Sequence, residues 1–365
     1  MSIAARWSIA LGALALSLTA SGAVAQAPTV TVGGLGYAQY YYQFKADSSL
    51  TPAGHQNNFD VTRAYINVIG KFGHGITTRV TTDIDGRKAA ANQLSFRLKY
   101  AYVAWTPEKS PLTFKLGQIH TPLLDWEEAL WDYRMQGPMA LERGGYVSSS
   151  DFGAGVDGNW KFDGVNMQLG VYNGENYNGA PGDSRKDVSG RVSVRVLKSD
   201  LGGRVGGLRV TAYGQYGLPT TGGRRQRYLG LVSYKSKAVT LGAEYAITKD
   251  STTGNGAGGT VAAARYVQGK VFSAYGVLNV PKSAVALIGR VDVIDPDKDS
   301  TSTATNSAAN VPVNRQTRII AGVSYQISPN LRVLADVDLN SLQHGGNNKF
   351  DATRQTAYFQ TQFTF

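Results

Sequence analysis

Seven basic residues stand out because each is the polar member of an alternating run: Arg63, Arg79, Arg97, Lys99 and Lys115, then Arg191 and Arg195. Successive side chains of a β-strand point to opposite faces, so these charges face away from neighbours such as Ile66, Val68, Val80, Phe96, Leu98 and Leu116. Fixed guanidinium and ammonium groups along one surface attract anions, arginine through a planar fork and lysine as a point charge. Arg227, Arg290, Arg318 and Arg332 are further candidates with weaker patterns. A second group has the opposite sign: Asp125, Glu127, Glu128, Asp132 and Glu142 outnumber Arg134 and Arg143. The chemistry on offer is electrostatic selection of a solute.

Bond-making chemistry finds little support. The chain has no cysteine, which removes disulfides, thiolate metal sites and cysteine nucleophiles together. Its four histidines, His55, His74, His120 and His344, fall in loops or turns with no serine motif or metal-ligand spacing beside them, and read as surface residues. The expectation is no enzyme, no cofactor and no metal. The formal net charge of +11 comes with no nucleic-acid-binding motif; small anions are the expected partners.

The elements that must hold these charges are short strands. Period-two alternation starts at Val30, where Gly34, Gly36, Ala38, Tyr40, Tyr42 and Phe44 share a face. It continues over 59–71, 76–85, 94–106 and 112–119, then at about 151–161, 165–173, 187–197, 208–217, 226–236, 239–249, 263–275, 285–295, 315–327, 331–342 and 354–365. In 94–106, Leu94, Phe96, Leu98, Tyr100 and Tyr102 are expected on one side, opposite Arg97 and Lys99. That makes about sixteen strands. Their connections alternate between short and long, with 198–207 longer than its place in the alternation requires.

Short turns at one end and long loops at the other, with apolar outer faces, belong to a barrel in an outer membrane. A soluble sandwich has no reason to follow that rule. No later segment approaches the eighteen apolar residues of a membrane helix. The fold class expected is all-β: an antiparallel up-and-down transmembrane β-barrel. Mid-strand arginine and lysine would cost about 2–4 kcal/mol facing lipid, so the alternation points them at a water-filled lumen. Arg79 and Lys115 fall near the short-turn end and Arg63, Arg97 and Lys99 higher, as two tiers on one wall.

The residues between 120 and 150 break the pattern. About thirty residues are too many for a hairpin connection, and Leu123, Leu124, Trp126, Leu130, Trp131, Tyr133 and Met135 need burial. Inside the barrel wall they find it, so this third long loop is expected to fold inward and narrow the bore. A short helix over 125–133 would separate acidic and apolar faces. Its acids, facing the basic strands, would set a transverse field and leave a mild preference for anions.

The N-terminus carries Arg6, an apolar run over 7–18 and the small residues Ala23-Val24-Ala25, the pattern of a cleavable export signal. The expected division is a signal peptide over 1–25 and one barrel domain over 26–365. A Gram-negative outer membrane, with its lipid and lipopolysaccharide, is the expected surrounding.

Several patches in order, RAYINVIGKF, YAYVAWTP, FKLGQIHTPL, GPMALERGG, GVYNGEN and the terminal FQTQFTF, resemble the phosphate-selective porin O and P family. The resemblance implies a sixteen-stranded barrel, usually a homotrimer, that passes phosphate or other anions along basic lumen residues, here Arg63, Arg97, Lys99 and Lys115. The loop segment DWEEALWD departs from the lysine run that a tight phosphate site of that family implies. The rival function is a non-conducting adhesin or structural barrel working through its surface loops. Against it, sixteen strands ordinarily leave an aqueous channel.

Overall fold

The computed structural model describes residues 27–46, 55–84, 94–177, 179, 184–218, 224–252, 265–296, 315–343 and 350–365. The expected export signal, Asp85 and His344 lie outside these residues. Sixteen strands form one closed antiparallel barrel in which β1 (Thr29–Ala46) pairs with both β2 (Asn57–Lys71) and β16 (Phe350–Thr364). Between them run β3 (Ile76–Ile84), β4 (Phe96–Trp105), β5 (Leu112–His120), β6 (Ser150–Trp160), β7 (Val165–Tyr172), β8 (Asp187–Leu197) and β9 (Gly207–Gly217). The circuit continues with β10 (Arg225–Lys235), β11 (Val239–Thr252), β12 (Arg265–Asn279), β13 (Val285–Asp295), β14 (Gln316–Ser328) and β15 (Leu331–Gln343). Apart from the closing β1–β16 pair, every neighbour in the barrel is the neighbour in sequence, and that closure leaves no open sheet edge.

The outer face is apolar, as the alternation requires: Val32, Phe59, Phe96, Leu116, Val210 and Phe359 are all exposed. At the seam, the rings of Phe363 and Phe365 lie over Gly36 and Gly34, where an added Cβ would meet ring atoms at 2.1 Å. Those two glycines admit the terminal aromatics, which pack across the closing strand pair.

One face assignment is corrected. A register shift between Thr81 and Thr82 leaves Lys99 unmatched on β4, and such a bulge reverses which side later residues face. Arg97 and Lys99 point inward before it and Tyr100 and Ala104 after it, while Val103 and Trp105 are exposed. Tyr100 and Tyr102 therefore leave the outer face on which strict alternation places them, and their rings stand next to His120 inside the barrel.

The long connection between β5 and β6 folds into the lumen. It carries a helix α1 (Pro122–Leu130), a 3-10 turn (Arg134–Gln136) and a short helix α2 (Ala140–Arg143). Pro122 opens α1 at the position where its missing N–H is harmless. The helix starts three residues earlier than expected. Leu123, Leu124, Trp126, Leu130 and Trp131 are fully buried against inward-facing Tyr213, Leu229, Leu231, Val271, Tyr275 and Ile288. Burying each large side chain is worth about 2–3 kcal/mol, so loop and wall conceal each other's apolar surface. This is the hydrophobic core of the molecule, and it sits inside the barrel.

Candidate functional site: the lumen beside the inward loop

Because the loop docks on β7 to β13 and reaches β16, the open lumen lies between it and the wall of β1 to β5. A cavity of about 440 Å³ there is lined by Arg63, Arg97, Arg134, Glu142, Tyr37 and Tyr177, among others. On the wall, Arg63 and Arg97 share one carboxylate, Asp83, at 3.9 and 3.7 Å. Asp83 is buried and also accepts the Ile84 backbone N–H at 2.9 Å. Lys99, one position past Leu98, donates to Ser149 Oγ. Arg63 and Arg97 thus share one buried carboxylate, with Lys99 two residues along β4 from Arg97 and with Arg134 and Glu142 of the loop across the cavity.

Tyrosines hold these cations without neutralising them. The Arg63 guanidinium lies 4.6 Å from the Tyr65 ring centroid and 5.3 Å from that of Tyr37. Arg97 and Lys99 both approach the Tyr177 ring, at 4.6 and 4.2 Å. A ring face attracts a cation and leaves its charge intact, so the rings fix the side chains along the wall.

Nearer the short turns, Arg79 donates to Asn67 Oδ1 at 2.8 Å and Thr81 Oγ1 at 2.9 Å, packs over Tyr100 and contacts His120 Nε2 at 3.1 Å. Lys115 pairs with Asp157. Both are the fourth residue of their strands, which puts them a tier below Arg63 and Arg97. The described residues place no carboxylate in ion-pair contact with Arg79 or Lys99.

Two residues expected in the lumen lie elsewhere. Arg191 faces inward on β8, but α1 covers that part of the wall: its guanidinium donates to Pro122 O at 3.0 Å and sits 4.1 Å from the Trp126 ring. Arg195 is at the short-turn end, donating to Phe162 O at 2.7 Å. His120 is also corrected: it is buried at the end of β5, stacked on Tyr100 at 3.9 Å between ring centroids.

The loop is less acidic than its composition suggests, because four of its five carboxylates are ion-paired, two within the loop and two to cations outside it. Arg134 bridges Glu128 at 2.9 Å and Glu142 at 2.8 Å. Burial works against the Arg134 charge, and Glu142 and Glu128 more than restore it. Asp132 takes Lys235 at 2.9 Å, and Arg143 pairs with Asp292 at 2.6 Å. Asp125 takes Arg204, from the turn between β8 and β9. That turn is the overlong connection at 198–207; its extra length lets Arg204 reach the loop. Burial raises the Asp125 carboxyl, but His120 and Arg204 outweigh burial and hold it below the usual range. Glu127 is buried on the apolar side of α1, where a two-faced helix would not put an acid. Sequence reasoning missed Arg204, Tyr177 and Glu244, residues on a turn, a loop and an opposite strand whose roles depend on contacts across the barrel.

The fold is that of outer-membrane porins. An anion-selective porin from Comamonas acidovorans superposes with a TM-score of 0.64 at 11% identity, over 93% of this chain and 100% of that one. Salmonella typhi OmpF, in a complex with daunomycin, gives 0.63 at 15% identity over 92% and 97%. The trimer form of OmpT, an outer membrane protein of Vibrio cholerae, gives 0.59 at 13% identity over 93% and 100%. No family model and no curated protein matches the sequence.

Proposed function

We propose that this chain is an outer-membrane diffusion channel for small hydrophilic solutes with a preference for anions. The observation that carries the reading is the basic wall of the lumen: Arg63 and Arg97 share the carboxylate of Asp83 and Lys99 stands beside Arg97 at the Tyr177 ring, while four of the five acids of the loop opposite are ion-paired. An anion entering from water is drawn to this basic wall by the field of its fixed cations. Removing the signal after Ala25, insertion among lipid and lipopolysaccharide, and assembly as a homotrimer complete the proposal. Phosphate is the first solute to test, on the strength of the motif resemblance and of arginine forks that suit oxyanions.

The test is the reversal potential of purified protein in a planar bilayer under a salt gradient, wild type beside Arg97→Ala and Lys115→Ala. The expected result is anion selectivity that falls in both variants. Cation selectivity in the wild type, or selectivity unchanged in both variants, overturns the anion path. Absence of any single-channel current puts the non-conducting barrel in its place.

A further inference from the structure

Of the five acids on the inward loop, four have a cation against them and one does not. Glu127 is fully buried and neither of its carboxyl oxygens meets a hydrogen-bond donor. Its neighbour is a second acid, Glu244, inward-facing at the middle of β11, also buried and also with both oxygens unpartnered. The two carboxyls are within hydrogen-bonding reach of each other. One belongs to the loop and the other to the wall.

Among the described residues one cation, Arg290, faces the pair; its buried Nη2 has no hydrogen-bond partner, and the rest of its guanidinium is engaged elsewhere. It comes from β13, where its Nε donates to Asp292 Oδ1 at 2.8 Å and its Nη1 lies against Met139 Sδ. Asp292 is further engaged by Arg143 of α2 and Ser273 of β12. Glu142 on α2, Tyr275 on β12 and Tyr213 on β9 also face the site. Two adjacent buried carboxylates cannot both ionise at modest cost. One proton held between them satisfies an oxygen on each, and turns a repulsive contact into a hydrogen bond across the loop–wall seam.

We propose that Glu127 and Glu244 share one proton, that this proton locks α1 onto the β9–β13 wall, and that its loss in alkaline solution releases the loop and closes the bore. The consequence for conduction rests on the channel reading above; the lock itself does not. Released from the wall, α1 carries its acids towards the basic side of the lumen, which draws it across the passage. Burial first, then Glu244, hold the Glu127 carboxyl well above the ordinary carboxylate range. The sign follows from linkage: the docked loop binds a proton that the free loop gives up, so docking is complete below the ordinary range and weakens as pH rises through the raised value.

Two measurements test this. In single-channel recordings from pH 6 to 10, the wild type shows a closed-to-open ratio that climbs by up to about tenfold per pH unit, the slope of one proton, until pH reaches the raised value, and that levels off above it. Glu127→Gln and Glu244→Gln, which replace the shared proton by an amide hydrogen, keep the ratio flat. The second measurement needs no current. The chain has no cysteine, and Ala246 on β11 is fully covered beneath the loop. Thiol labelling of Ala246→Cys at pH 10 is expected to be fast in the otherwise wild-type chain and several-fold slower with Glu127→Gln added. Equal labelling in the two backgrounds, or a pH profile that neither glutamine variant changes, overturns the proposal. Differential labelling with no current in any variant retains the lock and rejects the channel.

Discussion

Arg204 and Asp125 join the rim of the barrel to the loop inside it: the Arg204 guanidinium ion-pairs with the Asp125 carboxylate and donates from Nη2 to the Asp125 carbonyl at 2.8 Å. The same guanidinium lies 6.0 Å from the Trp126 ring. A turn at the short-connection end thereby fixes the first turn of α1, and the loop is braced from below as well as from the wall.

Replacing Arg204 by alanine removes that brace. Part of the guanidinium is in water, so the loss is on the order of 1 kcal/mol. The expected outcome is a folded barrel with larger open-channel current noise and faster proteolysis of the segment around α1. Noise and cleavage equal to wild type would show that the apolar contacts alone hold the loop.

Trp126 is the larger anchor. It is fully buried, under the guanidinium of Arg191 at 4.1 Å. Trp126→Ala leaves a cavity worth about 3–5 kcal/mol, enough to undock α1 while the strand ladder persists. Denaturant dependence of loop proteolysis, with heat-modifiable gel migration reporting the barrel, is expected to show a loop transition separated from barrel unfolding.

Asp83 sets the charge balance of the lumen. Asp83→Asn removes the carboxylate that Arg63 and Arg97 share. At solvent-like screening a unit charge is worth about 0.5–1 kcal/mol here, a two- to five-fold rise in the anion-to-cation permeability ratio. Reversal potentials at two salt concentrations measure it, and the rise is expected to shrink at the higher one.

Acid should affect the loop late. The folded Asp125 carboxyl is held below its usual range, so the ion pair with Arg204 stabilises docking fully above the unfolded value of about 3.9 and is lost only as pH falls through the depressed one. Loop proteolysis by an acid-active protease at pH 4.5 is expected to match that at pH 7, and to accelerate only in more acidic solution. In Asp125→Asn the loop is expected to be more labile already at pH 7.

Much of this molecule is legible in its sequence, for a reason specific to up-and-down barrels. Each strand is apolar on one side and, the closing β1–β16 pair apart, pairs only with its neighbours in the chain, so alternation and turn length are sufficient to find the sixteen strands and to direct Arg63, Arg79, Arg97 and Lys115 inward. The apolar residues of the 120–150 segment likewise require burial, and the lumen is where they find it. Local pattern fails where a bulge intervenes, as at Lys99, because one unmatched residue reverses the faces of Tyr100 and Tyr102.

Which residues meet across the barrel is set by the closed fold and not by local pattern. Nothing in the spacing of Arg191 distinguishes it from Arg97, yet α1 covers one and leaves the other beside the open lumen. Arg204 reaches Asp125 from 79 residues away, and Glu244 reaches Glu127 from an opposing strand. Period-two alternation fixes the side a residue faces, since that is set by its own backbone. The partner it finds there depends on how a loop is folded through the space the whole barrel encloses, and that is a property of the closed chain.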